Sequence, residues 1–174
     1  GTIYLHKNPL QQNALAMKTN KITFTCTLAT TLISLFTYFS CREALAMLPT
    51  VKLGDQEVKL EVASSSEEIE HGLMYRTSMP ETQGMVFLFH PHRPVAFWMY
   101  HTLISLDMLF VRDGKIVKIC KQVPPCKSED TSKCPTYPAE STIDVSEVIE
   151  VNGGYCDRHG VKEGDSVQFD FPSK

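Results

Sequence analysis

The chain has 174 residues, and its 17 Lys and Arg are outnumbered by 20 Asp and Glu, for a formal net charge of -3. Nucleic-acid binding is dominated by clustered Lys and Arg that neutralise phosphates, so this charge argues against nucleic acid as a partner. No phosphate loop, zincin motif or dinucleotide fingerprint occurs, which argues against those enzyme classes.

Residues 17–46 have the pattern of a secretory signal peptide. Met17 opens a short basic segment, an apolar run extends from Ile22 to Phe39, and Ala44-Leu45-Ala46 is a small-x-small cleavage site. We expect cleavage after Ala46 and interpret residues 1–16 as upstream or extended sequence. Two alternatives place the chain on a membrane: an uncleaved anchor, because the run approaches the length that spans a bilayer, and a lipid on Cys41.

Cleavage would release one domain, residues 47–174, into the periplasm or the extracellular space, without stable membrane insertion. Removing residues 1–46 from the 174 leaves 128, enough for a compact domain with its own core. The four Lys and Arg and the single Glu of residues 1–46 leave with them, so 13 basic and 19 acidic residues remain. The charge argument against nucleic acid is therefore stronger for the mature domain.

Four cysteines remain in a compartment that permits oxidation, which favours two disulfides. The sequence allows three connectivities. We favour Cys126 with Cys134, which would close a Pro-rich loop, and Cys120 with Cys156 by elimination. A four-Cys zinc site is the alternative, but the gaps lack the paired short spacings of such sites.

The first predicted elements are a strand and a helix. "EVKLEVA" alternates, with Val58, Leu60 and Val62 on one side, as a half-buried strand does. "SSSEEIEHGLMYR" follows, and Ser65 three residues before Glu68 forms a capping box. This pattern predicts one short helix over about residues 66–76.

The remaining elements are predicted strands. "GMVFLF", "VAFWMY" and "LDMLFV" are β-prone runs separated by turn residues, and Asp113-Gly114 predicts a tight hairpin. Residues 122–142 form a Pro-rich loop, and "VSEVIEV" and "EGDSVQFDF" return to strand. Many short strands with one helix predict a mainly β fold, a sandwich or a barrel.

Three blocks of the mature domain resemble the family catalogued as domain of unknown function 192. They are "HGLMYRTSMPETQGMVFLF", "FWMYHTLISLDMLFVRDGKIVKI" and "VIEVNGGYCDRHGVKEGDSVQF". The matching motifs are Gly72-Leu73-Met74-x-Arg76, Gly84-Met85-x-Phe87, Phe97-Trp98-Met99, Leu106-Asp107 and Gly164-Asp165. The resemblance implies a jelly-roll-like β-sandwich or distorted barrel, often exported, and it implies no reaction. Members usually have Asn-Thr and Pro-Leu-Asp where this chain has His101-Thr102 and Ser105-Leu106-Asp107.

Five residues make up the candidate ligand or structural cluster: Arg76, Trp98, His101, Thr102 and Asp107. Asp107 shares a strand face with Leu109 and Val111, and a buried carboxylate needs a charged or donating partner. We expect Arg76 to be that partner, either as a structural clamp or as a ligand-binding pair. Trp98 is expected in the core, with an exposed aromatic platform for sugars as the alternative.

No cofactor and no metal site are expected. The Met and His content suits copper, but Met is a common gap-filler in cores. The oxidised cysteines and the absence of a Gly-x-Ser-x-Gly elbow argue against nucleophilic catalysis.

The sequence therefore indicates an exported binding or accessory domain of the cell envelope, whose partner is an unidentified small molecule or envelope component. The alternatives are a hydrolytic enzyme acting on envelope polysaccharide or peptide, and a copper-binding or purely structural protein.

Overall fold

The computed structural model describes residues 48–139 and 143–172. The signal peptide, its cleavage site and the upstream segment lie outside these residues. These described residues contain nine strands: β1 (Thr50–Leu53), β2 (Gln56–Ala63), β3 (Gln83–Pro94), β4 (Phe97–Trp98), β5 (Leu106–Arg112), β6 (Lys115–Val123), β7 (Thr136–Tyr137), β8 (Asp144–Asn152) and β9 (Phe169–Asp170). Two short α-helices, α1 (Ser66–His71) and α2 (Tyr155–Arg158), and a 3-10 turn at Thr131–Lys133 complete the elements of the part of the chain that the structure describes.

Seven strands form one mixed sheet in the order β6-β5-β8-β3-β2-β1-β9, and β4 pairs with β7 in a separate small sheet. All neighbours in the large sheet are antiparallel except β2 and β3. A parallel pair needs a crossover connection, and α1 lies in that connection. The mainly β prediction is confirmed; the strands of the described residues do not close into a barrel.

Both faces of the large sheet are covered by hydrophobic clusters. Because side chains alternate along a strand, β5 sends Leu109 and Val111 into one cluster and Met108 and Phe110 into the other. The first cluster also contains Tyr155 of α2. We call its side the α2 face and the opposite side the methionine face, because Met79, Met85, Met99 and Met108 are buried there.

Two local predictions are confirmed, and one boundary is wrong. The Ser65 side chain accepts from the Glu68 N–H while the Glu68 carboxylate accepts from the Ser65 N–H, which completes the capping box. The β5–β6 hairpin turns at Asp113 and Gly114, with φ of 50° and 70°. The helix ends at His71 rather than near residue 76, because Gly72 leaves the helical region with φ of 45°.

The cysteines follow one predicted pairing and not the other. Cys126 and Cys134 form a disulfide that closes the Pro-rich loop, whereas Cys120 and Cys156 are free. The Cys120–Cys156 pairing is wrong because the two side chains lie on opposite faces of the sheet, Cys120 against the methionine face and Cys156 in the α2 face.

We expect alkylation to separate these thiols. In the native protein without reductant, Cys120 is half-buried and should react slowly, while the fully buried Cys156 should react only after unfolding. Peptide mapping by mass spectrometry checks this, and a Cys126 or Cys134 that alkylates before reduction would contradict the observed bridge.

No helix among the described residues is long and apolar enough to cross a membrane.

Candidate functional site

Asp107 is fully buried on the α2 face, and its carboxylate accepts hydrogen bonds from three backbone N–H groups. Its Oδ1 accepts from Gln122 at 2.7 Å and from Gly154 at 2.9 Å, and its Oδ2 accepts from Cys156 at 2.8 Å. The Gly154 and Cys156 bonds hold the start of α2, and the Gln122 bond holds the end of β6, where Gln122 has a φ of 49°. Asp107 therefore joins three segments that are far apart in the sequence.

Arg76 is not the partner of Asp107, which corrects the predicted pair. Its guanidinium binds both carboxylate oxygens of Glu61 on β2, at 2.5 and 2.6 Å, and this ion pair is about one-third exposed. The hydrogen bonds to Glu61 raise the pKa of the Arg76 guanidinium above its ordinary value. Leu60 lies in the α2 face and Ala63 in the methionine face, so alternation places Glu61 on the methionine face, opposite Asp107.

Aromatic rings form a continuous surface stripe on the Arg76 side. Consecutive ring centroids are 6.2, 4.9, 3.8 and 5.7 Å apart. The Tyr75 and His101 rings are stacked at 27°, and Tyr75 is 59% exposed. We call this feature the aromatic stripe; its members, in spatial order, are His71, Tyr75, His101, Tyr100 and Trp98.

The centre of the stripe has an unusual backbone. Tyr75 and His101 have φ of 63° and 55°, in the left-handed region that bulky residues rarely adopt. The Tyr75 N–H donates to the His101 carbonyl at 2.8 Å, which ties the segment after α1 to the segment after β4. Non-glycine residues held in this region cluster at functional sites.

The five residues of the predicted cluster therefore do not lie together in the structure. Trp98 and His101 lie in the stripe, and Arg76 follows stripe residue Tyr75 in the chain. Thr102 is buried below the surface, and its N–H donates to the Met99 carbonyl at 3.2 Å. Asp107 lies on the other face of the sheet. Of the run predicted as the strand "VAFWMY", only Phe97–Trp98 is a strand, and Trp98 is half-buried rather than in the core.

Glu150 is a functional candidate that the sequence did not reveal. It is 4% exposed and lies on the methionine face, in direct register with Met85 and Met108. Burial raises its pKa to about 8, so the group is largely protonated at neutral pH. The only signal was an acid in the apolar run "VSEVIEV", and both faces of that strand look equally apolar.

A shallow cavity of about 330 Å³ lies beside the disulfide-closed loop. Met99 and Tyr137 line it together with Lys127, Lys133 and prolines of the loop. It contains none of the five predicted residues.

Comparisons with known proteins identify relatives over most of the described chain. None of the curated protein sequences matches this chain. Two solved structures do: one from Sinorhizobium meliloti 1021, described as a candidate transcription regulator, and one of unknown function from Novosphingobium aromaticivorans DSM 12444. The first is 33% identical over 70% of this chain and 91% of that one, and the second 32% identical over 70% and 83%; both have a TM-score of 0.59.

The family model of DUF192, described as an uncharacterized ACR, matches residues 49–169. This range spans the large sheet from β1 to the start of β9 and contains Asp107, Glu150 and the whole aromatic stripe. The chain therefore belongs to the DUF192 family.

Proposed function

We propose that this chain is an exported binding domain of the cell envelope and that the aromatic stripe is its ligand surface, which binds a sugar polymer. The observation that carries the proposal is the unbroken series of five rings, of which Tyr75 is 59% exposed. Aromatic side chains combine a large apolar surface with a polar edge. Exposed apolar surface of this kind marks interaction sites, and a sugar ring can stack on the open face of an exposed aromatic ring such as that of Tyr75.

The backbone strain at the centre of the stripe supports this proposal. Each left-handed non-glycine residue has a conformational cost on the order of 1–3 kcal/mol. The hydrogen bond from Tyr75 to His101 and the ring contact between them hold the two residues in place before any ligand arrives. A preorganised surface loses little conformational freedom on binding.

The position of Asp107 argues against the alternative of a hydrolytic enzyme. A catalytic carboxylate must reach a reacting group, but both oxygens of Asp107 are bonded to backbone amides inside the fold. Arg76 is bonded to Glu61 rather than being free beside a second acid. Regulation of transcription, the description of the Sinorhizobium relative, requires DNA contact in its usual form, and the excess of acids over bases in residues 47–174 does not favour that.

Substitution of Tyr75 tests the stripe. In Tyr75→Gly, glycine tolerates the left-handed backbone, so we expect stability at or above that of the wild type, by up to about 1 kcal/mol. We expect binding to weaken at least tenfold, since the exposed Tyr75 ring is gone. Calorimetric titration with a hexamer of β-1,4-linked N-acetylglucosamine, and with hexamers of neutral sugars, measures the binding; thermal unfolding measures the stability.

Phe171→Ala is the matched control, because Phe171 is 53% exposed and lies outside the stripe. It should bind the oligosaccharides as the wild type does. The proposal fails if the wild type binds none of the hexamers, or if the Tyr75 and Phe171 variants bind equally.

A further inference from the structure

The second half of β3 bulges away from regular pairing with β8. From Leu88 to Arg93 the strand β3 advances five residues while β8 advances two, from Glu147 to Val145, so β3 has three residues too many for a regular ladder. Bulges bend a strand, redirect its side chains and are over-represented next to functional sites. The side chains that this bulge presents are therefore candidates for a site.

The bulge is anchored on the methionine face and presents two imidazoles to solvent. Phe89 and Val95, buried in the hydrophobic cluster of that face, hold its two ends. His90 and His92 between them are exposed, and their ring centroids lie 6.4 Å apart with a tilt of 39°; we call them the histidine pair. Pro91 separates them, and its fixed φ limits the conformations that the bulge can adopt. The two rings are therefore neighbours on a restrained backbone.

Neither ring of the histidine pair has an acidic partner in the part of the chain that the structure describes. The histidine ion pairs found there belong to His159, which lies between Asp55 and Glu81. Neighbouring Arg93 places its guanidinium over the Phe89 ring, 5.1 Å from the centroid, where the aromatic face attracts the positive charge. No carboxylate of the described residues therefore competes with an added ligand for the nitrogens of the pair.

The separation of the two rings suits a single metal ion. Metal–nitrogen bonds of about 2.0–2.1 Å place the centroids of two imidazoles on one tetrahedral ion about 5 Å apart. The observed separation is 6.4 Å. Exposed side chains rotate within picoseconds to nanoseconds, so the two rings can close the remaining gap of about 1 Å. Once one ring holds the ion, binding to the second is intramolecular, so the pair binds more tightly than a single imidazole.

The chemistry of imidazole selects the class of ion. Imidazole nitrogen suits Zn(II), Ni(II) and Cu(II), whereas Mg(II) and Ca(II) prefer oxygen ligands. Across residues 48–139 and 143–172, no three His, Cys, Asp or Glu side chains are placed to hold a metal. The pair thus supplies two ligands, and the other positions of the ion are open to water or to a molecule from solution.

The free Cys120 is the rival ligand for such an ion. The thiolate, not the thiol, binds metals, and burial raises the pKa of Cys120. Its thiol therefore stays protonated at neutral pH, whereas the imidazoles of the pair are in solvent.

We propose that His90 and His92 form a chelating site for one divalent transition-metal ion of the class of Zn(II), Ni(II) and Cu(II). The ion binds through one nitrogen of each ring, with no change in the oxidation state of the metal or the protein. The site is distinct from the aromatic stripe, whose two histidines are separated by the Tyr75 ring, and it does not depend on the proposed sugar binding.

Titration of the full chain, purified without a histidine tag, with Zn(II) chloride tests the proposal. We expect one equivalent to shift the NMR ring signals of His90 and His92, while the signals of His71 and His159 stay in place. Mg(II) at the same concentration should shift none of them. Ring signals of the histidine pair that do not move with Zn(II), or that move equally with Mg(II), would contradict the proposal.

Variants separate the histidine pair from single ligands elsewhere in the chain. His90→Gln and His92→Gln each remove one exposed ring, so both should melt as the wild type does without metal and bind Zn(II) at least tenfold more weakly. The matched controls are His71→Gln, whose ring neighbour is Tyr75 rather than a histidine, and Cys120→Ser; both should bind as the wild type does. Unchanged binding in His90→Gln or His92→Gln, or loss of binding in Cys120→Ser, would overturn the proposal.

Discussion

Asp107→Asn is expected to lower the free energy of unfolding by about 3 kcal/mol. The carboxylate accepts three backbone N–H bonds inside the fold. An asparagine oxygen can keep the bonds to Gln122 and Gly154, but the amide nitrogen would then face the Cys156 N–H, donor against donor. That N–H is buried and would have no partner, and the two remaining bonds would lose the contribution of the negative charge.

Thermal and chemical unfolding of the purified protein measure this loss. Asp157→Asn is the matched control, because Asp157 lies on the same helix α2 but pairs with Lys121 at the surface, where both side chains are about half exposed. Surface ion pairs contribute little, so this variant should melt as the wild type does. If Asp107→Asn keeps wild-type melting but loses oligosaccharide binding, Asp107 belongs to a ligand site and the structural assignment is wrong.

The elements that the sequence predicted correctly depend on neighbours a few residues apart. Ser65 and Glu68 form a capping box from two positions three residues apart, and Asp113-Gly114 forms a hairpin from two adjacent ones. Strand alternation likewise placed Asp107 on the same face as Leu109 and Val111. Such patterns are local in the chain, so composition and spacing are sufficient to recognise them.

The errors concern which elements cover which face. A buried carboxylate needs a charged or donating partner, which predicts the pair of Asp107 and Arg76, but the sequence does not say that α2 covers one face of the sheet and that Arg76 lies on the other. Hydrophobic clusters cover both faces of β8, so in the sequence Glu150 looks like any other acid in an apolar run. The contact between Tyr75 and His101 joins two loops, and loops have no sequence periodicity from which such a contact could be predicted.

Glu150→Gln is expected to change how stability depends on pH, with the largest effect in alkaline solution. Burial raises the folded-state pKa of Glu150 to about 8 from an ordinary value of 4.5. Between those values the folded protein holds a proton that the unfolded chain releases, so the wild type loses stability as pH rises, by up to about 1.4 kcal/mol per pH unit. Glutamine cannot ionise and avoids this loss.

The free energy of unfolding of Glu150→Gln minus that of the wild type should therefore increase by about 4 kcal/mol between pH 5 and pH 8.5. Denaturant titrations at several pH values measure it, and taking the difference removes the contribution of the histidines, which both proteins share. Glu147→Gln, on the same strand, is the matched control for the substitution itself, because the Glu147 carboxylate is only partly buried and accepts from the Ser146 hydroxyl. A difference that does not grow with pH for Glu150→Gln would mean that the Glu150 carboxyl group is ionised in the folded protein and would contradict the prediction.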